Sequence, residues 1–400
     1  MKALAIALVV AAVSVGDAAA ERPRPSDVPP GEVTTLVAPN DFQVYNDYAT
    51  PARTYASRRA VVHYVVLGID APPLNDDDRD AVPDYVERVG AAADTALDYY
   101  ERRGFAAISA DTGGPDARPD IYVSRFAPGS FGVAFPAADA RGGAFVVVSN
   151  ALDPSAESSL GSLYGTVAHE LFHLVQFSYF SPTDEPSIPA WVLEGSAAAM
   201  EDRVFPELDD IVSSLQLRRW FAQPHRRLTA QSYGSQLFWR YLDEREPRLL
   251  PAYLERLAAP RPGNTAPALA GTYARVARRP FAAVFGRFAS WVAGEFAGRV
   301  TPVRSLRVGA RASGRVAPLG IHFVRLSHGA RTVRVSRGEL LCELRGESPG
   351  DASSTRRVAP RRVDGLLEFT IPRGPRVGPV TLVVANGETT RSVSYSVAVD

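Results

Sequence analysis

Near Val300 the hydrophobic period of this 400-residue chain changes, and the stretches on either side cannot share one architecture. On the amino-terminal side Val82, Tyr85, Val86, Val89, Ala93, Ala96, Leu97 and Tyr100 recur at spacings of three and four. That spacing predicts one amphipathic helix, stopped at Gly104, which tolerates the left-handed backbone a helix end requires. Apolar runs at 61–67, 120–124 and 144–149 predict short strands, and helical patterns dominate from there to about residue 299. Residues 59–299 are therefore expected to form an α+β domain. On the carboxy-terminal side residues 392–399 alternate, with Val393, Tyr395, Val397 and Val399 on one face, and 321–326, 331–336, 366–371 and 380–385 are similar short runs. These predict antiparallel strands with one buried face, hence an all-β domain over 300–400. No repeat of 20–50 residues calls for a solenoid or propeller.

Strand spacing and length in 300–400 suit a sandwich of the immunoglobulin or fibronectin kind. At the other end, Lys2 precedes an apolar stretch at 3–15 and small residues at 18–20, which predicts a secretory signal peptide over 1–20. That stretch is too short to span a bilayer, and no later one approaches the roughly 20 apolar residues a membrane helix needs. The expected product is secreted, extracellular or periplasmic, without a transmembrane segment. Cys342 is the single cysteine, so an intrachain disulfide is excluded and stability must come from cores or bound ions. Within Leu340-Leu341-Cys342 it is expected to pack as a small hydrophobe. Residues 21–58 carry Pro23, Pro25, Pro29, Pro30, Pro39 and Pro51 and are expected to be a linker, a propeptide or an extended arm. With 44 basic and 44 acidic residues, net charge offers no reason to expect a nucleic-acid partner.

The densest chemistry lies at 169–173, His-Glu-Leu-Phe-His. Residues 159–179 lack Gly and Pro after Gly165 and should be helical, with Leu160, Leu163, Val167, Leu171 and Leu174 burying one side. Positions four apart share a helical face, so His169 and His173 can offer two imidazole nitrogens to one metal. Glu170 stands beside that face, able to take a proton without being a ligand. Two surface histidines and a solvated glutamate would be the plainer reading. However, Trp-Val-Leu-Glu-Gly-Ser-Ala-Ala-Ala-Met-Glu at 191–201 supplies Glu194, with twenty residues between it and His173, near the start of a second helix. Three protein ligands with one open position is the arrangement of a catalytic zinc.

These two motifs resemble those of the gluzincin metalloproteases, the second being close to the glutamate helix of aminopeptidase-N-like enzymes. Motif order over about 60–260 also looks like a family of secreted bacterial metalloproteases. The resemblance implies a zincin-like catalytic domain with His169, His173 and Glu194 as zinc ligands, Glu170 as general base and a protein or peptide substrate. It also implies that Tyr233, in Tyr-Gly-Ser-Gln-Leu-Phe-Trp-Arg-Tyr-Leu, donates to the oxyanion. The spacing around Tyr233 departs from the aminopeptidase pattern, and a packing residue at a helix start is the alternative. Where some gluzincins carry an acid one turn after the ligand glutamate stands Ala198; Glu201, two turns on, either supports a ligand or is solvated. The strand at 144–150 either pairs an extended peptide at a sheet edge or lies inside the sheet.

Residues 76–87 place acids at positions 1, 3, 5, 9 and 12, the spacing of an EF-hand-like calcium loop. Asp76, Asp78, Asp80, Asp84 and Glu87 would give side-chain oxygens and Val82 its carbonyl. Ala81 stands where glycine usually makes the sharp turn, which should cost left-handed strain. The alternative is a solvated acidic turn at a helix amino terminus. No Gly-x-Ser-x-Gly elbow or phosphate loop is present, and His63, His225, His322 and His328 are isolated. The leading expectation is a secreted zinc-dependent metallopeptidase. The others are a catalytically silent surface or binding protein of the same fold and a zinc hydrolase of a non-peptide substrate.

Overall fold

The computed structural model describes residues 24–27, 45–111, 113–136, 143–156, 161–180, 188–208, 215–259, 265–296, 298–337, 340–348, 351–371 and 380–400. The expected signal peptide at 1–20 lies outside these, as does Leu160 of the expected apolar stripe. Chain contacts divide it into two compact units, Met1–Ser214 and Leu215–Asp400.

The first unit is built on a five-stranded sheet of β1 (Arg53–Ala56), β2 (Val61–Tyr64), β3 (Asp120–Ser124), β4 (Gly132–Phe135) and β5 (Phe145–Ser149), in the order β1-β2-β3-β5-β4. β2, β3 and β5 run parallel, while β1 and β4 are antiparallel edges. β5 therefore lies inside the sheet, and among the described residues β4 forms the edge beside it. The predicted helix is α1 (Asp84–Arg102); Tyr85, Val86, Val89, Ala93, Ala96, Leu97 and Tyr100 are buried, and Gly104 at φ +79° ends it. α2 (Leu163–Phe177) packs on α1, β4 and β5, burying Leu163, Val167, Leu171 and Leu174, and α3 (Ala190–Val204) packs on α2.

The opposite face of this sheet is covered by the Pro-rich segment. Tyr45 and Tyr48 join Val65, Tyr122, Phe126, Val133, Phe135, Phe145 and Val147 in one apolar cluster. The Tyr48 hydroxyl lies 2.9 Å from the carbonyl of His63 and 2.8 Å from that of Val123. Arg24 reaches the same face, where its guanidinium donates to Asp111 at 2.6 Å and to Asp120 and lies 5.3 Å from the Phe145 ring centre. His63 Nε2 meets the other oxygen of Asp120 at 2.9 Å. A mainly parallel sheet needs both faces covered. The described part of 21–58 is thus neither a free linker nor a detached arm.

The second unit begins with α4 (Leu215–Ala222), α5 (Gln236–Arg245), α6 (Leu249–Ala258), α7 (Thr265–Ala277) and α8 (Phe281–Glu295). Strands follow: β6 (Arg304–Leu306), β7 (Arg311–Val316), β8 (Ile321–Leu326), β9 (Thr332–Arg337), β10 (Leu341–Ser348), β11 (Asp351–Val358), β12 (Arg361–Val363), β13 (Leu366–Thr370), β14 (Val380–Ala385) and β15 (Val393–Val399). They form two sheets, β11-β10-β14-β8-β6 and β12-β13-β9-β15-β7, around one core that includes Val324, Val333, Phe369, Leu382, Val397 and the free Cys342. A division at 299/300 was expected, but compactness divides the chain at 214/215. The reason is packing: α8 lies on β10, β11 and β14. A Cβ on Gly387 would come within 2.4 Å of Ala282, and Ser290 donates to the buried Glu343 at 2.9 Å. Among the described residues no helix is long and apolar enough to cross a membrane.

Candidate metal centre

Ser162 caps α2 by accepting from the Gly165 amide, and the helix carries His169 and His173 one turn apart. α3 opens after Pro189 and presents Glu194 to them. Glu194 Oε2 lies 3.5 Å from His169 Nε2 and 3.7 Å from His173 Nε2, and all three residues are buried. Ligand bonds of about 2.0–2.2 Å in a tetrahedral shell put neighbouring donor atoms about 3.3–3.6 Å apart. The two Glu194 distances lie at or just beyond that range and all three ligand atoms lie within 4.8 Å of one another, so the cluster could hold one metal ion. Neither oxygen of Glu194 accepts a hydrogen bond among the described residues. A buried carboxylate is costly unless positive charge completes it, whether from the two imidazoles beside it or from a bound cation.

Glu201 occupies the supporting position, its Oε1 2.5 Å from His169 Nδ1. Two turns along α3 suffice where one turn, at Ala198, would offer only a methyl. A second support was not anticipated: Gln176 Oε1 lies 2.7 Å from His173 Nδ1. Its placement three residues after His173, on the same helical face, was a usable signal. Glu170 is 2% exposed, and its Oε2 accepts no hydrogen bond among the described residues. Its carboxylate lies against Gly132 of β4, where an added Cβ would come within 2.7 Å of Glu170 Cγ and 2.8 Å of Oε1. Nothing local in the sequence marks Gly132, because the strand and the helix meet only in the fold. Gly132→Ala is expected to displace this carboxylate and, should the site be hydrolytic, to lower the rate about 10- to 100-fold without changing the affinity of the cluster for zinc. Metal analysis beside an activity assay checks this, and loss of zinc would show that the strand governs the metal instead.

Burial pushes the Glu170 carboxyl up, only partly offset by the two imidazoles. Burial also opposes charge on His169, yet Glu194 and Glu201 hold that ring well above its ordinary value. Against the same burial, His173 and His169 hold Glu194 well below the usual carboxylate range. In metal-free protein the lowered Glu194 contributes stability present above its unfolded value of about 4.3 and lost as pH falls below it. The raised His169 contributes stability complete below its unfolded value of about 6.5 and lost as pH rises through the folded value. The Glu194 and His169 contributions are thus both complete only between those limits, while the raised Glu170 carboxyl subtracts from stability above about 4.3. Zinc competes with the His169 proton, so its stabilising shift should grow from about pH 5 to about pH 8. Thermal unfolding with zinc and with chelator across that range checks it; a pH-independent shift contradicts it.

The acidic loop brings together Asp76, Asp78 and Asp80, whose carboxylate oxygens lie within 4.8 Å of one another. Asp84 and Glu87 are not in that group. Asp84 accepts the Asp77 amide at 3.0 Å, while Glu87, Asp78 and Asp84 line a common surface cavity. Asp76 accepts the amides of Arg79 at 2.7 Å and Ala81 at 3.0 Å. Ala81 takes φ +73°, the left-handed strain expected of a residue in place of glycine. Tyr233 lies in the second unit, opening a 3-10 turn (Tyr233–Ser235) just ahead of α5.

Fold and site together define a mixed α/β protein with a sheet-rich carboxy-terminal region and a buried two-histidine, one-glutamate cluster suited to a metal. No family model matches the chain, and neither does any curated protein. Among solved structures it is similar to the pre-peptidase C-terminal domain of a collagenase from Bacillus anthracis, at 8% identity and a TM-score of 0.20, covering 25% of this chain and 97% of that one. A TM-score of that size does not define a shared fold.

Proposed function

We propose that this protein is a secreted zinc-dependent metallopeptidase of the gluzincin kind. One observation carries the reading: Glu194 Oε2 of α3 converges on the two imidazole Nε2 atoms of α2, all within 4.8 Å of one another, and the same α2 carries Glu170, which is not needed as a ligand. Bound zinc would supply Lewis-acid polarisation and a more acidic water. Glu170 holds the proton removed from the attacking water and returns it to the leaving amine; burial raises its carboxyl, which favours its holding that proton between the two transfers. The β4 edge, unpaired among the described residues and beside Gly132 and Glu170, would pair with an extended peptide. Tyr233 is the proposed oxyanion donor. Purified protein should contain about one zinc per chain and hydrolyse casein or a peptide library. Zinc without peptide hydrolysis would favour the silent binding protein or a hydrolase of another substrate, and folded protein without zinc affinity would remove the reading altogether.

Calcium at 76–87 belongs to the same proposal as a stabilising ion standing in for absent disulfides. Saturating calcium is expected to raise the unfolding temperature by about 5–10 °C. Asp78→Asn should abolish that rise, and an equal rise in both proteins would assign it to another site.

A further inference from the structure

We propose that Gln176 is a positioning residue that holds His173 with its hydrogen on Nδ1 and ties the two ligand-bearing helices together, with Ser196 setting which way the amide faces. The proposal rests on reading His173 as a metal ligand. Gln176 Nε2 donates to the Leu193 carbonyl at 2.9 Å and to Ser196 Oγ at 2.9 Å. Ser196 spends its own hydrogen on the Val192 carbonyl at 2.6 Å, so towards Gln176 it can only accept. The amide nitrogen therefore faces α3, and the amide oxygen faces His173 Nδ1 at 2.7 Å. A flipped amide would set its oxygen against the Leu193 carbonyl with no hydrogen between them, in a place where Gln176 and Ser196 are both fully buried.

An amide oxygen accepts only, so Nδ1 must carry the hydrogen. In the neutral form of the ring this leaves Nε2 bare and facing Glu194 Oε2 at 3.7 Å, two acceptors that a cation between them would satisfy. The same amide holds the Leu193 carbonyl, one residue before Glu194. One side chain thus aligns donors on both helices, a duty that shape-filling alone would not require.

The test begins with metal-free wild type at about pH 8, using long-range proton–nitrogen correlation of the imidazoles with His173→Asn to identify the signal. Hydrogen on His173 Nδ1 is expected; its absence overturns the proposal, whatever the protein's activity. Gln176→Met should then weaken zinc about 10- to 100-fold in a chelator competition and alter the visible spectrum of the cobalt-substituted protein. Folded Gln176→Met with wild-type affinity and spectrum overturns the proposal. Should that variant fail to fold, Ser196→Ala, which frees one amide hydrogen, is expected to weaken zinc by a smaller factor, and unchanged affinity there counts against the proposal. Wild type with the expected tautomer and no zinc affinity would remove the peptidase reading while leaving the hydrogen-bond assignment intact.

Discussion

Glu170→Gln is expected to keep about one zinc per chain and to lose peptide hydrolysis by at least about 10²–10⁴-fold. The replacement has the same shape and cannot take a proton from water. Glu170 is buried, and Glu194, not Glu170, faces the two histidine Nε2 atoms, so the His169, His173 and Glu194 cluster is untouched. Removing a buried carboxylate with no hydrogen bond on Oε2 should leave the unfolding temperature of metal-free protein equal to wild type or above it. The pair of results separates a base from a ligand: lost zinc would make Glu170 part of the metal shell, and retained hydrolysis would assign the proton transfer to another group. Gly132→Ala approaches the same carboxylate from the strand side and should give the milder form of this loss.

Arg24→Met should destabilise the first unit by about 3–5 kcal/mol, because it leaves two buried carboxylates without their cation. Side-chain exposure is 2% for Arg24 and 0% for Asp111 and Asp120. Burial pushes the Asp111 carboxyl up, while Arg24 and the Gly113 amide pull it back, so Arg24 is part of what keeps it ionised. A loss of that size lowers the unfolding temperature of a unit this large by about 6–20 °C. Adding Asp120→Asn to Arg24→Met should recover part of the loss, since it removes one of the stranded charges. An unfolding temperature within about 2 °C of wild type would mean that the segment around Arg24 does not hold this sheet in solution. Active protein whose chain begins beyond Arg24 would mean that the segment is a propeptide after all.

Several elements were readable from local pattern alone. The spacing of Tyr85, Val89, Ala93, Ala96 and Tyr100 yields α1, and the apolar runs yield β3 and β5, because a helix or strand declares its buried face within a turn or two. His169 and His173 also needed only the helix: four residues is one turn, so their shared face follows from backbone geometry. Glu194 could be named from its motif, yet its distance to the imidazoles depends on how α3 packs on α2. The choice between Glu201 as support and Glu201 as surface was likewise made by packing, through its contact with His169.

Other features have no local signature. β5 was expected either at an edge or inside; pairing with β3 and β4 puts it inside and gives the edge to β4. Gly132 reads as any strand glycine until a helix some 40 residues later brings Glu170 against it. The Pro-rich segment reads as linker, propeptide or extended arm because proline density describes only its own backbone, whereas the partners of Arg24 and Tyr48 come from strands and loops further along the chain. Periodicity and helical spacing act over a few bonds and are written directly in residue order. Strand neighbours, the cation for a buried acid and the orientation of the Gln176 amide arise only when distant segments close on one another, and tertiary structure alone decided them.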